Sequence, residues 1–351
     1  MADRVCIDGS EGEGGGQMLR TALALAMATG RGFEMANIRA RRSRPGLRPQ
    51  HLAAVKAAAR VCSAEVEGDV LGSGALSFEP GAVRPGTYEF DIKTAGSASL
   101  VLHTLYLPLA LAGARSVLTI RGGTHVPFSP SFHYLTHQWA VMLRRLGLDV
   151  ELTLVRAGYF PAGGGELRAK VLPAGGVRPL RLEARGPLER LEGLSVVSGL
   201  ARSVAERQRS QALARLEAAG LSAGIELVEA PSPGKGTLLL LLAACGGGGR
   251  ACFDALGALG KRAEKVADEA CDALLEFLAT PGVVDAHCAD QLLLPLAFAA
   301  GESRFPVPAV TSHLLTNAMV IERFIPAGIR IEGEPGQPGV VTINPHSQAT
   351  G

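Results

Sequence analysis

The chain has no CxxC pair, few aromatics, no long apolar run and no lopsided charge. Its six cysteines (Cys6, Cys62, Cys245, Cys252, Cys271, Cys288) are scattered. That spacing suits neither a tetrahedral zinc site nor a secreted disulfide framework. Reduced thiols in a cytoplasmic protein are expected. The longest apolar runs, such as 237-TLLLLLAAC-245, fall short of the roughly 20 residues a bilayer crossing needs, so no membrane contact is expected. The opening MADRVCIDGSEGEGGG lacks the basic-then-apolar layout of a secretion signal. A net charge of +2 argues against wrapping around a long nucleic-acid tract and leaves room for a local basic site. Aromatics make up 5% of the chain against 47% hydrophobic residues, so Ala, Leu and Val must do most of the packing. The 44 glycines and 21 prolines imply many turns.

Strand and helix signals alternate. A strand near 4–8 leads into 9-GSEGEGGG-16, a helix over 17–30, a strand over 33–40, a helix over 50–62, then paired strands at 64–68 and 75–80. The order returns as a strand at 87–93, helix 97–113, strand 116–122, helix 131–147 and a hairpin of 149–155 with 166–173. It returns again as helix 287–301, a strand near 303–309, a helix at 312–325 and the hairpin 329–333 with 339–344. A supersecondary unit repeated three times is the expectation. Between the second and third copies lies a different pattern, with strands at 180–186, 225–230 and 237–243 and long helices at 199–220 and 261–280. The fold class expected is α+β. Residues 1–182 and 281–345 form the repeat framework, 183–280 a smaller inserted α+β domain, and 346–351 a polar disordered tail.

Six stretches could carry chemistry. In 11-EGEGGGQMLR-20, tri-glycine directly before a helix lets backbone N–H groups approach a phosphate. Its carboxylates could hold a divalent cation. The stretch 39-RARRSRPGLRPQH-51 holds Arg39, Arg41, Arg42, Arg44 and Arg48, whose guanidinium forks match phosphate oxygens. A solvated basic loop is its plain reading. The turn 94-TAGSASLVLHT-104 and the tri-glycine of 158-GYFPAGGGE-166 could admit a ligand, or simply cap a helix and close a hairpin. In 287-HCADQ-291, Asp290 and Gln291 open an otherwise apolar helix. Finally, His313 sits in the first turn of 310-VTSHLLTNAMVIERF-324, with Thr311 or Ser312 as N-cap. A helix N-terminus favours neutral imidazole, which is nucleophilic and can ligate a metal. A half-buried, hydrogen-bonded histidine is the plain alternative. If the repeats converge, these mouths would form a polyanion pocket suited to phosphoryl or nucleotidyl transfer.

Taken in order, DGSEGEGGGQMLR, IRARRSRPGLRPQHLAAVKAAA, TAGSASLVLHTLYLPLA, RGGTHVPFSPSF, GYFPAGGGE, VAER, HCADQLLLPLAFA and TSHLLTNAMVIERF resemble the RNA 3′-terminal phosphate cyclases, from about residue 5 to 344. The resemblance implies three repeats of a two-helix, four-stranded-sheet unit, related to the enolpyruvyl transferases. The inserted domain it implies is similar to the C-terminal domain of a bacterial translation initiation factor. It implies ATP and a divalent metal, Mg or Mn, as cofactors, and RNA 3′-phosphate ends as the partner. It leaves room for a homodimer.

The reaction it implies turns that end into a 2′,3′-cyclic phosphate through histidine–AMP and an adenylylated RNA end. Carried over motif by motif, His313 is the nucleophile, Asp290 orients it and Glu13 binds metal. Arg20, Arg39, Arg42, Gln50 and His51 line the phosphate pocket. His103, Pro130, Tyr134, His287, Cys288, Ala289, Asp290 and Gln291 meet the nucleotide. His103 and His287 stand where bacterial members have Gln and Tyr, which puts nucleotide preference in question. A non-catalytic relative acting in ribosomal RNA maturation is the competing expectation, which His313 argues against.

Overall fold

The computed structural model describes residues 4–345, so the expected tail at 346–351 lies outside the described residues. The first unit runs β1 (Val5–Asp8), α1 (Gly16–Thr29), β2 (Phe33–Ala36), α2 (Pro49–Cys62), β3 (Glu65–Glu67) and β4 (Leu76–Glu79). Its sheet order is β1-β2-β4-β3, with β1 parallel to β2 and β4 antiparallel to both its neighbours. Strand burial alternates residue by residue, as expected where one face meets helices and the other meets water. The expected strand over 33–40 stops at Ala36. Asn37 and Arg39 take φ of 53° and 55°, so the chain turns there and launches the arginine loop.

The second unit repeats the plan with β5 (Thr87–Asp91), α3 (Ala98–Leu111), β6 (Ser116–Gly122), α4 (Phe132–Tyr134), a π-helical turn (Leu135–Trp139), α5 (Ala140–Arg145), β7 (Val150–Arg156) and β8 (Gly165–Val171). Its order, β5-β6-β8-β7, matches the first.

Next come β9 (Leu188–Ser198), α6 (Arg202–Ala218), β10 (Gly224–Glu229), β11 (Gly236–Cys245), β12 (Arg250–Leu256) and α7 (Ala263–Leu278), with sheet order β10-β9-β11-β12. The apolar run of β11 is explained by burial on both faces. Leu239, Leu241 and Ala243 pack with α6 and α7 in one core, while Leu238, Leu240 and Leu242 join the main core.

The last unit has α8 (Ala286–Leu296), β13 (Ser303–Val307), α9 (Ser312–Phe324), β14 (Ile329–Glu332) and β15 (Gly339–Ile343), in the order β13-β15-β14. Its missing edge comes from upstream. Arg304 N donates to Leu180 O (2.8 Å) and Leu182 N donates to Arg304 O (2.9 Å), in parallel register. Residues 180–182, the last of the expected framework segment 1–182, therefore start the third unit, and β9 to α7 interrupt that unit between its first strand and its first helix.

The helices meet in the middle. α1 lies against α2, α3 and α9, α2 against α3, and α8 against α9. Met18, Leu19 and Leu23 of α1 share one core with Leu102 and Leu105 of α3 and Leu314 and Ile321 of α9. This packing brings the starts of α1 and α9, from opposite ends of the chain, to one place.

Candidate active site

Two helix starts define the centre. At α9, Thr311 is the cap: its hydroxyl accepts from Leu314 N at 3.1 Å. At α1, the cap position is Gly15, which has no side chain to offer, so the first N–H groups of the helix are left for another acceptor. The glycines are required by space. A Cβ on Gly12 (φ +52°) would strike Thr316 Oγ1 at 2.4 Å, and one on Gly16 would lie 2.3 Å from His51 Nε2 and 2.9 Å from Arg20 Nη1.

His313 is partly buried. Its Nδ1 lies 2.7 Å from Gln17 Oε1 and 3.5 Å from Glu13 Oε2. An amide oxygen only accepts, so Nδ1 carries the proton and Nε2 keeps the lone pair. The imidazole is held below its ordinary pKa by burial first, then by His287, Arg20 and Arg42. It is therefore uncharged at neutral pH. Among the described residues the hydrogen bond that orients the ring is to Gln17. Asp290 contributes through its backbone carbonyl, which accepts from Asn317 Nδ2 at 2.7 Å. Asn317 Oδ1 in turn accepts from Thr21 Oγ1 at 2.7 Å, and Thr316 Oγ1 accepts from Glu13 N at 2.9 Å.

Cations surround this ring. Arg42 pairs with the Glu13 carboxylate. Arg20 is pushed down to about 10 by burial, opposed by Asp290. The buried Asp290 carboxyl is pushed up to about 8 by burial and by Asp285, opposed by Arg20. His51 falls to about 3 through burial and the nearby Arg20, Arg39 and Arg48; its Nδ1 accepts from Arg48 N at 3.1 Å. Arg39 spends one arm on Arg44 O (2.7 Å) and Gly46 O (3.0 Å), so it shapes the arginine loop as well as charging it. Gln50 Oε1 accepts from Ser97 N at 3.4 Å, tying the second unit's small-residue turn to the cup.

The expected nucleotide residues divide. His103 stacks on Trp139 with ring centroids 4.8 Å apart. Among the described residues its Nε2 has no hydrogen-bond partner, and burial and Arg20 hold it at about 3. Tyr134 is buried, its hydroxyl donating to Asp285 Oδ1 at 2.7 Å. His287 is exposed and Pro130 half-buried, and the buried Oε1 of Gln291 has no hydrogen-bond partner among the described residues. The Cys288 and Ala289 side chains face the core, and their N–H groups bond to Asp285.

Sequence reasoning gave no role to Gln17, Thr21, Thr316, Asn317 or Asp285. A signal was present in α9: His313, Thr316 and Asn317 recur at i, i+3 and i+4, a polar stripe beside the helix's apolar face.

The site offers an uncapped helix start and several cations for an anion of high charge, next to a neutral imidazole. ATP fits that chemistry. Glu13, paired with Arg42, is the carboxylate beside the ring; no group of three acidic, His or Cys ligands occurs among the described residues. A divalent ion held there would complete its shell with phosphate oxygens and water, the usual habit of Mg²⁺.

A sequence model described as "RNA 3′-terminal phosphate cyclase" matches residues 11–331. Curated proteins of that name are similar over almost the whole chain. The one from Methylococcus capsulatus is 45% identical over 96% of both chains. Those from Ectopseudomonas mendocina (46%, covering 92% of this chain and 93% of that one) and Methanopyrus kandleri (44%, 97% and 98%) are comparable. The solved enolpyruvyl transferase NikO from Streptomyces tendae aligns at 10% identity and a TM-score of 0.37, over 97% of this chain and 48% of its own.

Proposed function

The chain belongs to the RNA 3′-terminal phosphate cyclase family, and from that premise we propose that it uses ATP to convert RNA 3′-phosphate ends into 2′,3′-cyclic phosphates, with His313 as the nucleophile. The observation that carries this is the Nδ1 contact of His313 with Gln17 Oε1 at 2.7 Å, because it leaves the Nε2 lone pair free on an uncharged ring.

In the first step Nε2 attacks the α-phosphorus of ATP, a P–N bond forms and pyrophosphate leaves. The α1 N–H groups and Arg20 are arranged to take the negative oxygens that gather charge in that transition state. An oxygen of the RNA 3′-phosphate then attacks the same phosphorus. The P–N bond breaks, and protonation of the departing imidazole makes it the better leaving group. The vicinal 2′-hydroxyl finally attacks the 3′-phosphorus, closing the ring and expelling AMP. Glu13 would hold the divalent ion, Mg²⁺ or Mn²⁺, whose chemistry when bound is to neutralise phosphate charge.

The test is labelling with ATP carrying the label at the α-phosphate. The protein is expected to retain an acid-labile, base-stable label, and His313→Ala is expected to retain none. Full labelling of that variant would remove His313 from the reaction. An RNA 3′-phosphate with a 2′-deoxy terminal sugar should accumulate the adenylylated end and form no ring.

A further inference from the structure

Two aromatic side chains stand in solvent among the described residues: Phe128, fully exposed, and Phe160, 68% exposed. Neither belongs to a hydrophobic core cluster of the described residues. Phe128 holds φ at +61°, a region that bulky residues avoid and that costs energy unless something repays it.

Their loops run side by side. Thr124 N and His125 N both donate to Gly158 O (2.9 and 3.0 Å), and His125 bridges to and stacks on Tyr159. The Phe160 turn also lies on the small-residue turn of the second unit, since a Cβ on Gly163 would come within 2.9 Å of Thr94 O and Ala95 Cα. That small-residue turn is tied to Gln50, next to His51 of the cationic cup. The surface from the cup to Phe160 is therefore continuous.

Positive charge flanks the pair. Lys93 precedes the small-residue turn, and Lys235 lies on the β10–β11 loop, whose Pro233 abuts Gly164. Both lysines are exposed. Neither has an ion pair among the salt bridges of the described residues.

We infer that Phe128 and Phe160 form a stacking platform for the unpaired nucleotides just upstream of the RNA 3′-phosphate, with Lys93 and Lys235 attending their backbone. Exposed aromatics beside free cations are what single strands bind, because every base offers a face to stack on. This rests on the RNA-end reading above and extends it from the phosphate to the bases behind it.

The test uses Phe128→Ala and Phe160→Ala, each beside its Trp counterpart, with the wild-type chain. Self-adenylylation with ATP alone should be unchanged, since neither side chain touches the cup. For an oligoribonucleotide 3′-phosphate, KM should rise roughly tenfold in each Ala variant, the scale of one lost base–aromatic stack, and return with Trp. A nucleoside 3′,5′-bisphosphate, with no upstream base, should show no such change. A 2-aminopurine at the penultimate position should be quenched on binding to wild type and less so in the Ala variants. Wild-type KM and quenching in both Ala variants would overturn the platform and leave the pair to a protein contact. Loss of self-adenylylation in the variants would overturn it too, by making the residues structural. Failure of wild type to cyclise any RNA 3′-phosphate would instead remove the underlying reading.

Discussion

Gln17 is the residue on which the proposed chemistry turns, because it fixes which ring nitrogen of His313 bears the proton. Gln17→Leu keeps the bulk and removes the acceptor. Self-adenylylation should fall roughly tenfold or more, as expected when a partly buried donor loses its partner, while RNA-end binding should change little. Arg42 acts on the same ring through charge. It helps hold the imidazole below its ordinary pKa, and it neutralises Glu13. Arg42→Gln removes a cation and unmasks an anion, and both changes raise the pKa of His313. The acid limb of self-adenylylation should move to higher pH, read from labelling rates across a pH series. An unmoved limb would mean that another group sets it. His313 and the arginines were legible in the sequence as types suited to phosphate. Gln17 was not, because a contact between residue 17 and residue 313 follows no local periodicity.

At the scale of elements, the site is built from helix starts. Thr311→Ala removes the side-chain cap of α9, worth roughly 1 kcal/mol. A fall in Tm of roughly 2 °C is expected for a chain of this size, with the first turn that carries His313 loosened. The opposite device operates at α1, where the cap is glycine. Gly16→Ala would drive a methyl into His51 and Arg20, so affinity for ATP should fall more than thermal stability does, separable by calorimetry and nucleotide titration. Helices and hairpins of the repeats were readable because periods of 3.6 and 2 are local properties. The strand β9 escaped: its sequence LERLEGLSVVS mixes charges into the alternation and carries a central glycine. Only pairing with β10 and β11 makes it a strand.

For the whole molecule, buried titratable groups pull stability in opposite directions. The folded chain keeps the proton of Asp290 up to about 8, against 3.8 when exposed. Folded protein therefore binds the extra proton between those values, and stability falls as pH rises through that window. His51 and His103, at about 3, and His133, at about 4, do the reverse. Unfolding lets each take up a proton below 6.5, so stability also falls as pH drops through that range. The two windows overlap below 6.5, where three histidines outweigh one carboxyl, so Tm should peak near pH 6.5. Asp290→Asn should gain on wild type steadily as pH rises from about 4 to about 8, as scanning calorimetry would read it. The amino-acid order alone determined the repeated unit, the arginine loop, the glycine-rich helix start and the neutral-histidine expectation, since each depends on neighbours a few residues apart. Tertiary structure alone decided that residues 180–182 open the third unit, that Cys288 and Ala289 turn inward, and that the ring of His313 answers to Gln17. Those outcomes depend on which surfaces are buried together, and burial joins residues that chain order keeps hundreds of positions apart.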